Sequence, residues 1–198
     1  VDYQRFAFGG LMLAHINHVD DTFKIYNAHS AVGGNGVEVW DPSEDSSSGN
    51  PCYAFSDSDI DPGLDSTAYS LSGGGCDVGS TGGLYLIDTN PDNSGGDSGN
   101  HLSKEYVLDG VCWNTGSGSD NDCDQTSDVM ISSGAWAEDT YVNIGSETGL
   151  ELTSGGNNDD GASDWRAIPE FSTLLMPVAS VLLIVGYNYR RKSEPIEN

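Results

Sequence analysis

The residues best equipped for chemistry are carboxylates set one apart in turn-rich segments: Asp57-x-Asp59-x-Asp61, Asp88-x-Asn90-x-Asp92, Asp120-x-Asp122-x-Asp124 and Asn157-Asn-Asp-Asp160. Alternating carboxylates can wrap a hard cation, because Ca2+ takes six to eight oxygen ligands from flexible groups. The spacing is not that of an EF-hand. Its sixth position is Pro62, Asn93 or Gln125 in place of Gly, and its twelfth is Ala68, Gly99 or Ile131 in place of Glu. If one cluster holds structural Ca2+, the best set is Asp57, Asp59 and Asp61, because a disulfide at Cys52 would fix that loop. Solvated acidic loops are the other reading of the same residues.

Gly96-Asp97-Ser98-Gly99 resembles the nucleophile segment of trypsin-like proteases. A serine nucleophile needs a base within hydrogen-bond reach and a third group to orient that base. His15 and His18 lack the Ala-His-Cys setting of that family, so no catalytic residue is assigned. On a strand His15 and His18 would point to opposite faces, which argues against a shared metal site. Trp40, Trp113, Trp136 and Trp165 read as core anchors, with an exposed Trp136 beside Tyr141 as an alternative carbohydrate platform. No Asn-x-Ser/Thr acceptor occurs.

Charge narrows the partners. Seven basic residues face 31 acidic ones, for a net charge of −24. Residues 1–168 hold only Arg5, Lys24, Lys104 and Arg166 as cations. Such a surface repels nucleic acid and anionic lipid, and it attracts cations or basic partners. Cys52, Cys76, Cys112 and Cys123 form no CxxC, against zinc ribbons and thioredoxin-like chemistry. An even number in an exported chain points to two disulfides. Nearest neighbours pair Cys52 with Cys76 and Cys112 with Cys123, among three possible connectivities.

From Phe171 to Tyr189 the chain has no charge, and Arg190-Arg191-Lys192 follow at once. As a helix this stretch spans about 29 Å at ~1.5 Å per residue, close to the hydrocarbon thickness of a bilayer. The positive-inside rule puts the basic cluster in the cytoplasm and everything before Pro169 outside. Val1 opens no signal peptide, since Phe6–Ile16 lacks a basic n-region and a small-residue cleavage site. The chain is therefore expected to be a mature form or a fragment.

Pro169-Glu170-Phe171, the apolar stretch and then Arg190-Arg191-Lys192 together resemble an archaeal PEF-CTERM sorting signal. That resemblance implies recognition by an archaeosortase, a membrane transpeptidase-like enzyme that removes the helix near the tripeptide and links the product to a surface component. A permanent single-span anchor is the alternative.

The segments that must position these residues are short and alternating. Leu11–Val19, Thr22–Asn27, Val37–Trp40, Thr67–Leu71, Gly83–Asp88, Glu105–Trp113, Thr140–Ile144 and Gly149–Thr153 read as strands. The 26 glycines and many Ser, Asn and Asp mark turns between them. The stretch between Pro42 and Gly63 reads as one long loop, and no three-turn amphipathic helix is expected before the tail. The fold class expected is all-β, an immunoglobulin-like β-sandwich with long acidic loops plus one C-terminal transmembrane helix, with a single barrel as the alternative. The domains are an ectodomain at 1–166, the sorting region at 167–171, the helix at 172–189 and a basic tail at 190–198.

The segments DDTFKIYNAHS, YVLDGVCWNTG and TGLELTSGGNNDDGASDWRA are similar to a lamin-tail domain of the secreted prokaryotic type. Asn27, Asp109, Trp113, Leu150, Leu152, Asp164 and Trp165 match that family's pattern in order, while its early Asn-Glu pair is absent. The resemblance implies an immunoglobulin-like sandwich with a binding or structural role. The expected function is that of a non-enzymatic protein on the extracellular face of the cell membrane, serving adhesion, envelope structure or ligand binding. Its partners would be the membrane, the processing enzyme, and a surface protein, a glycan or further copies of itself. The alternatives are an extracellular hydrolase and a subunit of an extracellular filament.

Overall fold

Where apolar and polar residues alternate, a strand can bury one face and hydrate the other. Thr22–Asn27 is the clearest case, with Phe23, Ile25 and Asn27 buried and the residues between them partly exposed. The computed structural model describes residues 10–27, 36–42, 49–56, 60, 62–64, 68–71, 76, 78–89, 106–116, 123, 129–153 and 161–168. Chain contacts divide the protein into Val1–Ile168 and Pro169–Asn198, and every described residue belongs to the first unit.

The described elements are β1 (Leu11–Asn17), β2 (Thr22–Asn27), β3 (Val37–Trp40), β4 (Tyr53–Ala54), β5 (Gly63–Leu64), β6 (Tyr69–Ser70), β7 (Gly82–Asp88), β8 (Val107–Asn114), α1 (Val129–Ser133), β9 (Val142–Asn143), β10 (Gly149–Leu152) and β11 (Trp165–Ile168). The first sheet runs β11-β10-β1-β2-β5, with β6 also on β2, and all its pairings are antiparallel. The second runs β4-β3-β7-β8-β9, antiparallel except for the β8–β9 pair. The fold is all-β.

Asn17 sets the β1–β2 hairpin. Its Oδ1 accepts the backbone N–H groups of Val19 and Asp20, and its Nδ2 donates to Asp20 Oδ2 at 2.8 Å. Side-chain mimicry of a backbone turn is what makes Asn favourable there.

The sheets share one core. Leu11, Leu13, Ile16, Phe23, Ile25 and Leu150 of the first sheet and Val37, Val39, Leu84, Leu86, Val111 and Trp113 of the second belong to a single buried cluster. Each such side chain contributes roughly 1.5–3 kcal/mol when fully buried. Phe23, Tyr53, Phe55 and Tyr69, from β2, β4, the residue after β4, and β6, join the two sheets through ring centroids 4.8–6.1 Å apart.

All seven residues of β7 are buried, so the second sheet is covered on both faces. On its outward face Met130 of α1 lies over Gly110, where a Cβ would overlap Met130 Cγ and Sδ. Gly83 faces Cys123 Sγ and Pro42 Cγ, each 2.8 Å from where its Cβ would be. α1 ends in a left-handed glycine, Gly134. Gly134 N–H donates to the Ile131 carbonyl, and Ala135 N–H to the Met130 carbonyl. That double bond is the Schellman closure of a helix.

Both cysteine pairings agree with the nearest-neighbour expectation. Cys52–Cys76 and Cys112–Cys123 are bonded, with Cα–Cα distances of 5.5 and 6.4 Å. The reading of the stretch between Pro42 and Gly63 as one loop is corrected: β4 lies within it, and its end at Gly63 begins β5. Strands of two residues have no periodicity to show. The Trp136 and Tyr141 platform is corrected too. Trp136 is 1% exposed and its indole N–H donates to the Thr140 carbonyl at 2.6 Å, so its face serves the core. Among the described residues no helix is long and apolar enough to cross a membrane; the uncharged stretch 171–189 lies outside them.

Candidate functional site

Buried polar residues concentrate at the end of the unit where β1 and β3 begin and β2 and β7 finish. Asn27 closes β2, Asp88 closes β7, Thr89 follows it, and Asp109 is the third residue of β8. All four are buried. Burying such groups is costly unless each finds a hydrogen bond. Thr89 donates to the Gly36 carbonyl twice, through its N–H at 2.7 Å and its hydroxyl at 2.9 Å. Asn27 Nδ2 points to the Ile60 carbonyl at 3.5 Å, and Asp109 Oδ2 accepts the Leu13 N–H at 2.8 Å.

Asp88 opens one of the acidic sequences, and in the chain Ile60 stands between Asp59 and Asp61 of another. Asp57, Asp59 and Asp61 themselves lie outside the described residues. Among the described residues no three His, Cys, Asp or Glu side chains assemble as a metal site.

Glu38, on the outward face of β3, is an acid with perturbed surroundings. Burial raises its carboxyl above the ordinary carboxylate range, and hydrogen bonds from Trp40 and Thr89 oppose that rise. Trp40 Nε1 donates to Glu38 Oε2 at 2.7 Å. A carboxyl held this way is suited to keeping a proton, not to acting as an exposed base.

The histidines separate. His15 sits on β1, where burial and then the neighbouring Lys24 lower its imidazole below the usual range, against the opposing pull of Glu151. His18 lies in the hairpin turn, its Nε2 3.0 Å from the Glu147 carbonyl. They form no common site. Gly96–Gly99, His29 and His101 lie outside the described residues, as do Pro169, Glu170, Phe171, Arg190, Arg191 and Lys192. Of the residues that carry the lamin-tail resemblance, Asn27, Asp109, Trp113, Leu150 and Trp165 are buried, and Leu152 and Asp164 are partly exposed.

Two features of the structure escaped the sequence reading. The buried polar end depends on Asn27 of β2, Asp88 of β7, Thr89 just after it and Asp109 of β8, and only Asp88 lay in one of the acidic sequences. The four-ring cluster escaped because Tyr53 and Phe55 lie in a stretch without alternation. Comparison with family models, with curated proteins and with solved structures finds no match.

Proposed function

We propose that the chain is a non-enzymatic cell-surface protein: an immunoglobulin-like, disulfide-braced ectodomain exported and displayed through a PEF-type C-terminal signal. The observation that carries this reading is the pair of closed disulfides, one in the core and one at its rim. Disulfides persist in oxidising compartments. The tail sequence supports it independently, since an apolar stretch closed by Arg190, Arg191 and Lys192 follows the ectodomain. Strands that cross between two facing sheets at β2–β3, β4–β5, β6–β7 and β9–β10 support the sandwich.

On this reading the polar end meets the partner, whose chemistry is cationic because the chain is strongly acidic. Asp109 and Glu38 on the strands and His18 in the hairpin turn serve the fold: Asp109 bonds a backbone amide, His18 a carbonyl, and Glu38 an indole. Intact mass of the protein recovered from its native cells tests the proposal. The expected mass lacks the tail beyond the Pro169 region, carries any attached surface group, and is short of four thiol hydrogens. An unprocessed, fully reduced chain in the cytosol would overturn it.

A further inference from the structure

On the outward face of the first sheet, Lys24 of β2, His15 of β1, Glu151 of β10 and Arg166 of β11 stand side by side in one register row. Arg166 holds Glu151 through Nε at 2.7 Å and through Nη2. His15 Nδ1 is buried and has no hydrogen-bond partner among the described residues. The charged groups facing the ring are Lys24 on one side and Glu151 on the other, with Arg166 behind Glu151.

We infer that this row is an acid-sensitive latch on β11. With His15 neutral, Glu151 belongs to Arg166 and pins the strand; once His15 is protonated, Glu151 turns to the imidazolium and the strand loosens. Among the described residues β11 stands at the edge of its sheet and pairs with β10 alone, and segments with few partners open first. Protonation makes both ring nitrogens donors, so Nδ1 then needs an acceptor, and Glu151 is the anion at its register position.

Burial and Lys24 delay that protonation. The latch therefore works below the ordinary imidazole range of about 6.5. An exposed ion pair limits its size to a change of a few fold.

Hydrogen exchange of the full chain tests this, comparing Arg166–Ile168 amides with those of Val107–Asn114 at about pH 7 and about pH 5 after correction for intrinsic rates. Relative protection of β11 should fall about threefold in the wild type and stay level in His15→Gln. Lys24→Met should move the fall to higher pH, because the ring loses a like-charged neighbour. Glu151→Gln should leave β11 weakly protected at both pH values. An equal fall in His15→Gln, no fall in the wild type, or full neutral-pH protection in Glu151→Gln would each overturn the latch.

Discussion

Asp109 Oδ2 accepts the backbone N–H of Leu13 at 2.8 Å, from the second sheet to the first and across 96 residues of sequence. β10 pairs with β1 only from His15 to Asn17, so no described β10 residue sits beside Leu13. The carboxylate supplies the acceptor that a neighbouring strand would have supplied. A buried amide left without one costs about 1–3 kcal/mol. Asp109→Ala should lower unfolding free energy by at least that much, whereas Asp109→Asn keeps an acceptor oxygen and should lose less. Denaturant unfolding of both variants decides it, and equal losses would show that the acceptor is not what matters.

Glu38 should make stability fall as pH rises. The folded state holds this proton to higher pH than the unfolded chain does. The stability given by the protonated form is present below the ordinary carboxylate range and lost as pH climbs through it to the raised value. Glu38→Gln should therefore melt higher than the wild type at neutral pH, with the gap closing in acid. Thermal melts across that range check the sign.

Gly110 leaves room for Met130. Gly110→Ala places a methyl group against Met130 Cγ and Sδ and should cost about 1–3 kcal/mol by overpacking. Met130→Ala alone should also destabilise, by about 2–5 kcal/mol. Combined, the two should cost less than the sum of their separate effects, which a double-mutant cycle measures directly.

The two disulfides should reduce in order. Cys52 is buried but Cys76 is partly exposed, whereas Cys112 and Cys123 are both 0% exposed. Mild reductant should open Cys52–Cys76 first, and mass spectrometry after alkylation should find Cys112 and Cys123 still joined. Replacing Cys112 and Cys123 together by Ser should cost about 2–5 kcal/mol.

The strands of β1, β2, β3, β7, β8 and β10 could be read directly, because Phe23, Ile25, Val37 and Val39 alternate with more exposed neighbours and the β7 run is continuously apolar. Residues such as Tyr53, Gly63 and Met130 could not be placed that way. Their elements are two to five residues long and exist because distant partners, Val39, Asn27 and Gly110, hold them. Cysteine pairing was legible because each bond closes a short loop. Asp109 stood out only as part of a pattern; its bond to Leu13 depends on where β10 stops, which no local window contains. The Trp136 reading failed for a related reason, since whether an indole faces water is decided by what the chain folds over it.

The placement of β1 and β11 has a mechanical consequence. Both are antiparallel to β10, so they run in the same direction, with Leu11 at one end of the sheet and Ile168 at the other. A pull applied between those two residues acts along the strands. It strains the hydrogen bonds of β1–β10 and β10–β11 together, in shear, instead of unzipping them one by one. Tension entering at the end of the last strand is thus shared by the ladder as a whole, and the unit should yield abruptly at high force.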